Sequence, residues 1–200
     1  MKDRRSSTRT FPKGRLALDF ANTAACPGCR VGDGLASSAT FRRWTRDHQE
    51  LAAPPNLDRE LPHLRELRAA LVSLFRSQAH GGRPSATALR TVNATAIRSE
   101  QRRVLGWQRG GWALVDVDRP TPPAARVAGS LARDAIALLA SPARSKLQAC
   151  RGTDCVHFLL ARTQTQMWCS ASGCGNRARV ARHYRRTRRA GSSLVRSNRV

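Results

Sequence analysis

The sequence predicts an α+β chain, with a mostly helical N-terminal domain, a small antiparallel β element and a cysteine-rich finger ending in a basic helix. Three observations carry this reading. Leu57, Leu61, Leu64, Leu67, Leu71, Leu74 and Phe75 recur at three- and four-residue spacing, the stripe of a helix that packs against a core. Apolar runs flank Arg109-Gly110-Gly111, the pattern of two strands around a tight turn. Two cysteine pairs, Cys150/Cys155 and Cys169/Cys174, each enclose four residues and stand thirteen residues apart. Four thiolates at that spacing can close a tetrahedral site around Zn²⁺.

Taken in order, residues 1–14 read as a disordered basic arm. In residues 15–23 the alternation of Leu16, Leu18 and Phe20 fits a strand, with Asp19 facing the other way. A loop rich in Gly, Ala and Ser follows and holds Cys26-Pro27-Gly28-Cys29. Residues 40–51 read as a short helix with Phe41, Trp44 and His48 near one face, broken by Pro54-Pro55. The leucine-striped helix spans 57–78 and stops at His80-Gly81-Gly82; Pro84-Ser85 starts another with Leu89 and Val92. After the 103–117 hairpin, 124–139 reads as a helix with Val127, Leu131, Ala135, Ile136 and Leu139 inward. The helical domain thus covers 15–145, the finger 146–190, and a frayed tail 191–200.

Charge narrows the class of partner. The 36 basic and 13 acidic residues give +23, which favours nucleic acid or another polyanion and says nothing about fold. Part of this is an Arg-rich, Ala-rich composition of the kind a GC-rich genome produces. The basic N-terminus lacks the apolar core of a signal peptide, and no run approaches the roughly 20 apolar residues of a membrane helix. The expected location is cytoplasmic. In a reducing compartment, clustered cysteines favour metal over the alternatives of two disulfides or free thiols.

The finger itself can be read residue by residue. Four cysteine ligands leave no open coordination position, so the site is structural, and a module this small draws its stability from the metal. Gly175 is placed to supply a positive φ, and Asn176 to cap a helix beginning at Arg177. On that helix Val180, Ala181 and Tyr184 share one side, expected to pack on the knuckles with Phe158 or Trp168. Arg179, Arg182, Arg185, Arg186 and Arg189 share another, a candidate phosphate-binding face, and Arg177 at the helix start is the candidate base contact. From 141 to 200 there are thirteen basic residues against Asp154 alone.

Trp168-Cys-Ser followed by Cys174-Gly-Asn-Arg177 resembles the signature of the CGNR zinc fingers. The front part resembles the ABATE domain of stress-induced transcription regulators, through LDFANT at 18–23, LRELR at 64–68 and the helix leading into Cys150. The resemblance covers about residues 15–190. It implies a bacterial DNA-binding transcription regulator with a sensing or assembling front domain, and one structural Zn²⁺ on Cys150, Cys155, Cys169 and Cys174. The loop between the pairs departs from the family pattern. It runs Phe158-Leu-Leu-Ala-Arg-Thr163, shorter than in many members and without their acidic residue.

Other candidates remain open. Cys26 and Cys29 form a redox dithiol, half of a second metal site completed by His48, His63 or His80, or two incidental thiols. Asp19 and Asn22 either line a ligand pocket or make structural hydrogen bonds, and Trp44, Trp107 and Trp112 read as core. No nucleophile–base pair, phosphate loop or paired carboxylates stand out, so an enzyme is not expected. The leading reading is a zinc-dependent DNA-binding regulator. Its alternatives are an RNA- or ribosome-associated basic zinc protein and a thiol redox sensor.

Overall fold

The computed structural model describes residues 16–48, 51, 53–99, 101–108, 111–118 and 122–197. The basic arm expected at 1–14 lies outside them. The first element departs from expectation. Leu16–Ala21 is a short helix, α1, with Ala17, Leu18, Phe20 and Ala21 all buried. A six-residue segment buried nearly all round shows alternation without being a strand, and two alanines favour the helix. Asp134 Oδ2 accepts the Ala17 amide at 2.9 Å and so satisfies an orphan donor at the start of α1.

α2 (Ser38–Arg46) starts at a reciprocal capping box between Ser37 and Thr40. Its aromatic face is as the spacing predicts: Trp44 stacks on Phe41 (5.5 Å) and on His48 (4.1 Å). α3 (Leu57–His80) carries the leucine stripe, every member of which is buried, and closes at the predicted Gly81 stop. α4 (Ala86–Arg98) is capped by Ser85, whose Oγ accepts the Ala88 amide at 3.3 Å. β1 (Gln101–Gln108) and β2 (Gly111–Asp118) pair antiparallel, with Trp107 opposite Trp112. Trp107 is 62 % exposed rather than core, because it stands at the turn end of a ribbon that has two strands among the described residues. α5 (Pro123–Ala140) buries Val127, Leu131, Ala135 and Leu138, while Ile136 falls on the more exposed side.

α1, α4 and α5 pack around α3, and the core they form does not stop at the helical domain. A hairpin of β3 (Leu147–Ala149) and β4 (Phe158–Leu160) lies against it, contributing Leu147 and Phe158 to the same core. The Phe158 ring meets Phe75 of α3 edge-on at 5.9 Å. Asn22, at the end of α1, fixes the register. Its Nδ2 donates to the Phe158 carbonyl at 3.0 Å, and its Oδ1 accepts the Phe158 amide at 2.8 Å.

Replacing Asn22 with Ala orphans a buried amide and a buried carbonyl, a cost of about 2–4 kcal/mol. Urea unfolding of the zinc-loaded Asn22→Ala protein measures it; a loss under about 0.5 kcal/mol would remove Asn22 from this role.

Candidate metal centre and basic helix

All six cysteines of the chain gather in one cluster, with Leu159, Ala161, Val31 and Trp168 packed around them. The finger residues reach it from two knuckles. In the first, Cys150 follows β3 and Cys155 precedes β4, and the chain turns between them through Asp154 at φ 54°. The amides of Gly152 and Cys169 point at Cys150 Sγ from 3.4 and 3.3 Å, donors that stabilise a thiolate. In the second knuckle, Cys169 Sγ lies 3.8 Å from Cys155 Sγ and 3.5 Å from Cys174 Sγ. Metal–sulfur bonds of about 2.3 Å in a tetrahedron give sulfur–sulfur edges of about 3.8 Å, so these spacings suit zinc.

The charge state of the metal-free cluster says the same. Cys155, then Cys169, donates to Cys150 and holds its thiol down to about 2. Cys155 is pushed up to about 12, first by Cys150, and Cys169 is driven far above the ordinary thiol range by Cys150 and Cys155. Without a cation, Cys150 is favoured as the anion and its two neighbours are held as thiols. A dication is what allows the others to ionise.

The second knuckle also starts the C-terminal helix, by a different device from the one expected. Ser170 is the cap: its Oγ accepts the Gly173 amide at 3.0 Å. A single wide turn, Ala171–Gly175, then runs directly into α6 (Asn176–Ser197), in which Asn176 is an ordinary helical residue rather than the cap. Gly175 does not take a positive φ; it is small because a Cβ there would stand 3.2 Å from the Trp168 ring and 3.3 Å from the Ser170 carbonyl. α6 also extends to Ser197, into the segment expected to fray.

The apolar side of α6 is not packed on the knuckles. Val180 is 45 % and Tyr184 65 % exposed, and residues 179–188 are all exposed, with Arg179 alone among the candidate arginines reaching back to the knuckle, its Nη2 donating to the Ala171 carbonyl at 3.2 Å. Arg179, Arg182, Arg185 and Arg186 are all exposed; the Arg189 side chain lies outside the described part. Arg177, the expected base contact, faces the sulfur cluster. It is half-buried, and its Nη2 donates toward Cys174 Sγ at 3.2 Å and Cys29 Sγ at 3.7 Å.

The front loop reaches the same place. Cys26 and Cys29 are joined Sγ to Sγ, and Cys29 Sγ lies 3.4 Å from Cys155 and 3.5 Å from Cys174. Gly28 makes the approach possible: a Cβ there would sit 2.3 Å from the Thr153 carbonyl oxygen of the first knuckle. The loop is held from behind by Arg68, whose guanidinium grips the Asp33 carboxylate at 2.6 and 2.8 Å and keeps it below the usual carboxylate range. Arg65 donates to the Leu35 carbonyl at 2.6 and 3.0 Å. Of the histidines suggested for a front site, none is in the cluster among the described residues; His157, which the sequence reading passed over, is. Its signal was the Cys155-Val156-His157 spacing. Asp19 pairs with His48 at 3.5 Å, and with Asn22 bound to Phe158 both polar residues of the front motif serve structural contacts.

Comparison with known families agrees with this architecture. Residues 14–142 match the ABATE family, described as "putative stress-induced transcription regulator", and residues 146–187 match the CGNR zinc finger. Neither is an enzyme family. No curated protein matches the chain. With the buried sulfur cluster, the finger match gives one structural Zn²⁺. No described helix is long and apolar enough to cross a membrane.

Because Cys155 and Cys169 are protonated in the metal-free protein at neutral pH, zinc binding must expel their protons. Affinity should therefore rise with pH, and at least two protons should appear per zinc bound in weakly buffered solution at pH 7. Fewer than one would contradict this charge distribution.

Proposed function

The chain belongs to the ABATE family and carries a CGNR zinc finger, and from that membership and the geometry we propose that it is a cytoplasmic, zinc-dependent DNA-binding transcription regulator. Cys150, Cys155, Cys169 and Cys174 hold the zinc, Cys150 being included because two amides are aimed at its sulfur. The front domain senses a signal or assembles the complex.

The observation that carries the DNA reading is the exposed arginine face of α6. Arg179, Arg182, Arg185 and Arg186 project from a helix rooted in the metal site, and no carboxylate pairs with them among the described residues. Like charges at helical spacing repel, and an array of phosphates relieves the repulsion. A helix of this length spans about 33 Å, at 1.5 Å per residue, enough to follow a duplex backbone. Zinc is required because the knuckle aims the first turn of the helix. Arg177, with Nη2 on sulfur, links the charge of the metal site to that turn.

Four phosphate contacts give a slope of log K against log salt near −4 on duplex DNA. Arg182→Ala/Arg186→Ala should bring it to about −2 while leaving zinc content unchanged. A slope near zero would sink the phosphate-contact reading, and preferential binding of structured RNA in competition would replace DNA as the partner.

A further inference from the structure

The six cysteines and His157 supply more donors than one structural zinc uses. Two tetrahedral ions that share one vertex need seven donors, and the cluster offers six thiols and one imidazole. The atoms fall into two overlapping sets. Cys155, Cys169 and Cys174 lie with Cys29, all four sulfurs within 4.8 Å of one another, and Cys150, with two amides aimed at its sulfur, stands beside them as the fourth donor of the finger site. Cys26, Cys29, Cys155 and His157 form a second set, with all four ligand atoms within 4.8 Å of one another. Cys29 and Cys155 belong to both; with Cys150 as the fourth finger donor, Cys29 is left to the second set and Cys155 is the shared vertex.

We propose that the dithiol form of the protein binds a second Zn²⁺ on Cys26, Cys29, His157 and Cys155, with the Cys155 thiolate bridging to the finger zinc. The inference rests on the finger ligands proposed above. His157 is suited to the role. It is 1 % exposed, and its Nε2 lies 3.1 Å from the Ala24 carbonyl, which can only accept; Nε2 therefore carries the proton and Nδ1 presents a lone pair. A ligating imidazole whose other nitrogen donates to a carbonyl is the usual outer-shell arrangement for zinc. Cys26 is fully buried, as is expected of a ligand and not of a thiol serving only solvent.

The surroundings hold this geometry from both sides. Gly28 brings the Cys26–Cys29 turn against the first knuckle, and the Arg68–Asp33 pair fixes the loop behind it. Six thiolates and two dications leave a net charge of about −2, by formal charges with the imidazole neutral. Arg177 Nη2 sits between Cys29 of one set and Cys174 of the other, where it offsets part of that charge. The joined Cys26–Cys29 pair is the oxidised alternative. Two equivalents of a small thiol reduce it, giving two Cys thiols and one disulfide of the reductant, and Zn²⁺ then displaces the thiol protons to solvent.

The full chain, purified with a phosphine reductant and stripped of metal, is titrated with Co²⁺ and separately with Zn²⁺. Two equivalents of each should bind per chain. The electron paramagnetic resonance signal of the first cobalt should fall as the second enters, because a shared thiolate couples their spins. Cys26→Ser/Cys29→Ser, with an unchanged circular dichroism spectrum, should stop at one equivalent and keep the signal. One equivalent in the reduced wild type would overturn the second site and leave the finger intact. Two equivalents in the double variant, or two uncoupled cobalts, would overturn the placement at Cys155. No binding at all would instead overturn the finger reading. The wild-type count decides the number of ions even if the variant misfolds.

Discussion

Thiolates packed closer than 4 Å cannot all be charged without a cation between them, and the rest of the molecule is arranged around that constraint. The electrostatics of the cluster run the same way: neighbouring thiols favour the anion at Cys150, and that anion pushes the Cys155 and Cys169 thiols up. The knuckles add amide donors, Arg177 adds a guanidinium, and the hydrophobic wall of Leu159, Ala161 and Trp168 keeps water from screening the charges. A dication completes what these groups only partly offset. The helix that carries the arginines begins at Asn176, two residues after the last finger cysteine, so its direction is set by the metal site.

The same constraint explains why the helical domain and the finger are not two beads on a string. The segments that resemble the ABATE family reach toward the finger. Asn22 of LDFANT pairs with the Phe158 backbone, and the two arginines of LRELR hold the loop that delivers Cys29 to Cys155 and Cys174. Phe158 and Leu147 sit in the core of the helical domain. A rearrangement of α1 or of the front loop would therefore be felt at the sulfur cluster, a short physical route from the front domain to the base of α6.

What was legible in the sequence follows the range of the forces involved. The leucine stripe of α3, the Ser85 cap, the Gly81 stop and the β1–β2 pairing were readable because each is set by neighbours within a few residues. The α1 helix was misread as a strand because tertiary burial on all sides erases the distinction between periods. The cap on the second knuckle was assigned to Asn176 when Ser170 makes it, since a wide turn shifts the start of the helix without changing its composition. Trp107 looked like core because its residue type is usually buried, while its place at a ribbon tip is a property of topology. The spacing of the finger cysteines announced three of the four sulfurs that lie within 4.8 Å of one another, Cys155, Cys169 and Cys174; the fourth, Cys29, comes from the front loop, and Cys150 falls outside that set. The approach of Cys26 and Cys29 across more than a hundred residues could not be announced, nor could His157, because contacts of that separation leave no local pattern.

The most direct measurement of the central claim is metal content together with duplex DNA retention, for the wild type and for Cys169→Ser/Cys174→Ser. If the finger holds zinc and zinc aims the arginine helix, the variant loses the finger's zinc and its DNA binding together. Retention of DNA binding by the zinc-depleted variant at wild-type strength would show that the basic helix acts without the metal site. Zinc in the wild type with no DNA retention would make the finger a structural element only. Either result would contradict the account.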